Sequence, residues 1–151
     1  MNQQPPPNKP MNTNDIGSQE QTPVNNAILE IEAYVDEAIL TQMIKDTSAD
    51  VIPILIDHYL EESQLRLNNI DLALSDKNLE QLEFETHTLG SSALALGNHV
   101  LSRSAREIER LCLDGKPEQA FEKVDSLQNV ARKSLSAISL RKELGFSESS
   151  S

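Results

Sequence analysis

The chain has 151 residues, enough for one domain with tails, and a formal net charge of −11. That charge argues against nucleic acid and anionic membrane surfaces as ligands, because both attract a basic footprint. Apolar residues make up 38% and aromatics only 3%, so a core must be built from Leu, Ile, Val and Ala, which helices pack readily. Cys112 is the single cysteine, which excludes an internal disulfide. With no bilayer-length apolar run and no signal-peptide pattern, a cytoplasmic setting and no direct membrane binding are expected.

Residues up to about Asn26 are rich in Pro, Asn, Gln, Thr and Ser, with Pro5-Pro6-Pro7 and Pro10. Such a composition holds too little apolar surface to order itself, and residues 1–28 read as a disordered tail or linker. After an approach segment to Tyr34, Asp36 is placed to cap a short helix carrying Ile39, Leu40, Met43 and Ile44 on one side. Ser48 or Asp50 starts the next helix, and Pro53 in its first turn is tolerated because its N–H would have no partner there. Leu55, Tyr59, Leu67, Ile70 and Leu74 then repeat at helical spacing, with His58 structural or solvated. The polar break Ser75-Asp76-Lys77-Asn78 is short enough to force an antiparallel neighbour, capped by Ser75 or Asp76.

The following helix carries Leu79, Leu82, Thr86, Leu89, Ala93 and Leu96 at alternating spacings of three and four, one mostly apolar stripe that Gly97 closes. His87 sits one step off that stripe. Glu83 and Phe84 lie one turn before it, and Gly90, Ser91 and Leu94 after it. A single helical His is most often a surface or satisfied core residue. Here two small residues leave space beside the imidazole. Gly within a helix costs about 1 kcal/mol relative to Ala, so Gly90 needs a reason: close approach of a partner or ligand, or a loosely packed bundle.

Asn98 caps the next helix, with Leu101, Ser104, Ala105, Ile108, Leu111 and Cys112 inward. Arg103, Arg106 and Arg110 form a second stripe, read as a solvated basic face pairing with Glu107 and nearby acids. His99 has no evident partner. Asp114-Gly115-Lys116-Pro117 pairs a glycine stop with a proline start, and a last long helix carries Ala120, Val124, Leu127, Ala131, Leu135 and Ile138 inward. Residues 145–151 read as a disordered C-terminal tail. The sum is an all-α fold: an antiparallel up-down-up-down four-helix bundle with a short additional N-terminal helix, over residues 29–144. There is no internal repeat, no Gly-rich phosphate loop and no histidine spacing suited to a metal.

The run His87-Thr88-Leu89-Gly90-Ser91-Ser92-Ala93-Leu94-Ala95-Leu96-Gly97 resembles the signature of histidine-containing phosphotransfer (HPt) domains. Leu89, Ser91-Ser92-Ala93 and Gly97 occupy the matching positions. The resemblance extends from about Tyr34 to about Leu135: Val35 to Leu40 looks like the family's opening helix, Ile54 to Glu62 like its second, and Leu101 with Ile108-Glu109 like the helix after the histidine. One position departs. The family usually has Lys three residues after the His, associated with charge compensation near the phosphoryl group, and this chain has Gly90.

The resemblance implies a phosphorelay intermediate in two-component signalling, a carrier without a nucleotide site rather than an enzyme. His87 would accept a phosphoryl group from a receiver-domain aspartyl phosphate and pass it to another receiver aspartate. Glu109 would fix the imidazole through Nδ1, Ser91 would bond a phosphoryl oxygen, Gly90 would keep the approach open, and Phe84 and Leu94 would form a docking patch. One of Arg103, Arg106 and Arg110 would supply the charge missing at Gly90. The chain would need no cofactor, since Mg²⁺ belongs to the partner receiver. Partners would be receiver domains of response regulators or a hybrid sensor kinase, of which this chain could be a module, and a monomer is expected. The alternative is a non-phosphorylated receiver-docking or inhibitory bundle. An unrelated helical enzyme is disfavoured because no nucleophile–base pair or ligand cluster stands out.

Overall fold

The computed structural model describes residues 25–148, and every regular element among them is helical. In chain order these are α1 (residues 25–34), α2 (Glu37–Asp46), a single 3₁₀ turn (Ala49–Val51), α3 (Ile52–Asp76), α4 (Leu79–Ala95), α5 (His99–Leu113), α6 (Pro117–Glu122) and α7 (Val124–Glu143). The tail readings for residues 1–24 and 149–151 lie outside the described residues. Residues 25–28 belong to the first turn of α1. Residues 145–148 keep contact with the bundle: Phe146 packs on it beneath the Arg141 guanidinium, and the Glu148 carboxylate accepts from the Ala49 N–H at 2.6 Å.

Four helices enclose the core. α3 packs on α4 and α7, and α5 packs on the same two. Their apolar stripes meet in one cluster that includes Ile52, Ile56, Ile70, Leu82, Leu89, Leu101, Ile108, Leu127 and Ile138, all essentially inaccessible to solvent. Aliphatic side chains at three- and four-residue spacing suffice for this, because burial of about 1.5–3 kcal/mol of apolar side chain recurs every turn. One charged pair joins α3 to α4 within the packed layer: Glu85, buried, accepts from Arg66 at 2.9 Å and from Asn69 at 3.2 Å.

The helix ends explain the connections. Lys77 adopts a left-handed conformation (φ 53°) after α3, and the Asn78 N–H reaches back to the Ala73 carbonyl at 2.9 Å. The cap of α4 is Asn78, whose side chain accepts from the Gln81 N–H at 3.0 Å, rather than Ser75 or Asp76; those two are still inside α3. Gly97 (φ +86°) ends the next turn in the same way, with the Asn98 N–H on the Ala93 carbonyl at 2.8 Å. The last expected helix is two: the Lys123 N–H closes a tighter bond to the Ala120 carbonyl and its ψ opens to −2°, so α6 and α7 are separated by one residue. Ala120 and Val124 stay buried across the break.

The Asn98 side chain does not cap α5. It is fully buried, accepting from the Tyr59 hydroxyl at 2.8 Å and donating to the Tyr34 carbonyl at 2.8 Å and the Ser134 carbonyl at 3.3 Å. One amide therefore links α3, α5, α7 and the end of α1. Close by, the Asp36 N–H donates to the Gly97 carbonyl, its carboxylate caps the Ala38 N–H, and His99 Nε2 lies 2.8 Å from Asp36 Oδ2. His99 thus has a partner that spacing alone did not reveal. Its hydrogen bond is the main cause holding the Asp36 carboxyl below its usual range.

Candidate functional site

His87 lies midway along α4, next to the buried positions Thr86 and Leu89 but turned off their face. Its side chain is 57% exposed. Glu109 projects from α5 with a side chain only 16% exposed, and its Oε2 lies 2.8 Å from His87 Nδ1. An ionised carboxylate only accepts, so the bond assigns the ring proton to Nδ1 and leaves the lone pair of a neutral ring on Nε2. Among the described residues no side chain bonds Nε2.

The two helices approach closely because of what stands between them. Gly90 is buried, its carbonyl accepts from the Ser102 hydroxyl at 2.8 Å, and Ala105 faces it. Ser102 and Arg106 of α5 meet Gly90 and Ser91 of α4, and Glu109, further along α5, meets His87, earlier on α4. Glu109 therefore stands level with the imidazole, and Arg106, one turn earlier on α5, stands level with Gly90 and Ser91.

A shallow pocket of about 480 Å³ beside the ring is lined by Glu80, Glu83, Phe84, His87, Glu109 and Leu113. Phe84 and Leu113 are among the most exposed large apolar residues of the protein, at 59% and 60%. Leu113 was not singled out in the sequence. Its only cue there is its position four residues beyond Glu109, one turn along the same face. Leu94 is exposed on α4 but does not line this pocket.

The three arginines separate. Arg103 lines a different hollow with Asp36, Glu37 and His99. Arg110 is exposed. Arg106 reaches α4, donating from Nη2 to Ser91 Oγ at 3.3 Å. None of them makes an ion pair among the described residues, and Glu107, proposed as their partner, pairs instead with Lys123 of the α6–α7 junction at 3.4 Å. Behind the site, burial first and then the Glu83 and Glu109 charges push the Cys112 thiol up to about 11. His58 is exposed and stands apart from these groups. No cluster of three or more His, Cys, Asp or Glu suited to a metal occurs among the described residues, and no helix there is long and apolar enough to cross a membrane.

The family model described as Hpt domain matches residues 54–139, more than half of the chain, and the chain belongs to that family. Its role is therefore phosphotransfer in two-component signalling, in which Hpt domains carry phosphoryl groups rather than turn over substrates. Among solved structures it is similar to histidine-containing phosphotransfer protein B (HptB) from Pseudomonas aeruginosa PAO1, with a TM-score of 0.64 and 19% identity over 73% of this chain and 93% of that one. At that identity the likeness speaks for the fold. No curated protein matches the chain by sequence.

Proposed function

We propose that this protein is a phosphorelay intermediate and that His87 is its phosphoacceptor. The observation that carries the reading is the pair of states of one ring: Nδ1 beside Glu109 at 2.8 Å, and the half-exposed ring's Nε2 bonded by no side chain among the described residues. The lone pair on Nε2 attacks the phosphorus of a receiver-domain aspartyl phosphate, and the aspartate leaves as a carboxylate with the electron pair of the broken P–O bond. The ring becomes a cation, which the Glu109 carboxylate stabilises across the Nδ1–H bond. The reverse steps deliver the group to a second receiver aspartate. Such transfer is mainly positioning and electrostatics, and Mg²⁺ is supplied by the receiver.

Phe84 and Leu113 form the apolar part of the receiver-docking patch, with Leu94 at its margin. The unit that docks is the bundle over residues 29–144, its four long helices running up-down-up-down with the short N-terminal helices across one end. It acts as a cytoplasmic monomer or as a module of a hybrid sensor kinase, and the chain itself holds no cofactor.

The test is phosphorylation of the full chain by phosphoramidate, a small donor that bypasses the unidentified receiver. One acid-labile, base-stable phosphoryl group per chain is expected, and none in His87→Gln. Labelling that survives this substitution overturns the assignment. A wild-type chain that takes no label yet binds a receiver as tightly as His87→Ala does would instead establish the docking bundle without transfer.

A further inference from the structure

We propose that Arg106 is the phosphoryl-binding cation of this site, and that position 90 is glycine because the Arg106 stem occupies the space a side chain would fill. This rests on the reading of His87 as phosphoacceptor and adds a residue from the neighbouring helix to it.

A Cβ built on Gly90 would stand 3.1 Å from Arg106 Cγ, 3.5 Å from Arg106 Nε and 3.6 Å from Ala105 Cβ. The first distance is too short for an undisturbed contact, so any side chain at 90 moves the arginine stem. Gly90 is in ordinary helical backbone, and no left-handed conformation calls for glycine there. Space for the neighbouring helix does: the Ser102 hydroxyl on the Gly90 carbonyl holds α5 against α4 at this level.

The Arg106 guanidinium makes no ion pair among the described residues, although the protein has 24 acidic side chains against 13 basic ones. Its contact is neutral, the Ser91 hydroxyl at 3.3 Å. Ser91 is one turn from His87 on the same face of α4, where Cβ atoms stand about 5–6 Å apart, so the guanidinium is held beside the position next to the imidazole along that face. A cation held by a single long bond to a hydroxyl keeps four further N–H donors for an incoming anion. Along α4, Glu80 and Glu83 lie on the opposite side of His87 from Ser91, in the pocket that Glu109 also lines, and they repel a dianionic group from that side. The cation is therefore on the flank of His87 away from Glu80 and Glu83. As the Nε2–P bond forms and the donor bond breaks, Arg106 bonds the phosphoryl oxygens, and Ser91 accepts from Arg106 while donating its own proton to a third oxygen.

The test measures the rate at which phosphoramidate labels His87 in the full chain; the donor P–N bond breaks and ammonia leaves. Arg106→Ala should slow labelling roughly tenfold at low ionic strength, with Arg106→Lys recovering part of the loss, because a charge-assisted bond is replaced by none or by a point charge. Added salt should slow the wild type and affect Arg106→Ala much less. Gly90→Ala should slow labelling in the wild-type background and leave the rate unchanged when Arg106 is already Ala, a coupling that a general loss of structure would not produce. Arg106→Ala labelled at the wild-type rate with the wild-type salt dependence overturns the proposal while His87→Gln, unlabelled, leaves the phosphoacceptor reading standing. Label in His87→Gln overturns both.

Discussion

Glu109 does two things at the level of single residues. Its carboxylate lies 2.8 Å from His87 Nδ1, and its charge reaches the sulfur buried one turn along α5. Cys112 is 6% exposed, and burial together with Glu83 and Glu109 holds its thiol to about 11. Near pH 8 that leaves roughly one thiolate in a thousand. The expected outcome is slow reaction of native protein with an aromatic disulfide reagent at pH 8, fast reaction once urea unfolds it, and a native rate that climbs with pH toward about 11. Rapid native reaction at pH 8 would contradict the burial. The sign of the linked stability follows: the folded state keeps this proton longer than the unfolded one, whose thiol titrates at about 8.5, so stability is unaffected below that range and declines as pH rises from it to about 11. Spacing placed Cys112 on the inner face. Glu109 is one turn away on the same helix, a neighbour that spacing supplies; Glu83 comes from α4 meeting α5, which nothing in the sequence placed.

Between elements, the informative residue is Asn98. Its position before α5 was legible as a cap, and the chain does turn there, yet its amide is spent on Tyr59, Tyr34 and Ser134. Asn98→Ala would leave a buried hydroxyl and two carbonyls without that partner, each group left unpaired costing about 1–3 kcal/mol. The expected result is a loss of at least that size in urea unfolding, with phosphoramidate labelling of His87 retained in the folded fraction, since the amide stands at a different level of α4 and α5 from His87 and Glu109. Asn98→Asp should be worse than Ala, because a carboxylate cannot donate to the two carbonyls and would be buried charged. A substitution by Ala that leaves the unfolding midpoint unchanged would show that the hub is not structural. The same scale explains the misplaced boundaries. Ser75 and Asp76 are good cap residues by type, but the left-handed Lys77 lets α3 continue through them and hands the cap to Asn78.

At the scale of the whole molecule the net charge of −11 acts as a repulsion that folding must overcome. Two of the ion pairs that join elements, Arg141 with Glu37 at 2.7 Å and Lys142 with Asp57 at 2.5 Å, offset only part of it, because each has a largely exposed partner. Screening should therefore help more than it harms. Raising ionic strength from about 0.02 M to about 0.3 M is expected to raise the thermal midpoint by a few degrees, checked by calorimetry or circular dichroism. A midpoint that falls over this range would mean the ion pairs outweigh the repulsion.

Amphipathic period and helix punctuation are local properties, so the all-helical class, the inward stripes and the histidine set beside small residues could be read from the chain with no partner in view. Where that imidazole's second nitrogen goes, which of three arginines crosses to α4, and what a glycine in mid-helix makes room for are relations between α4 and α5. The register of two packed helices is set by how side chains interlock across them, a sum over contacts far apart in sequence, and the chain order of residues carries no direct record of it.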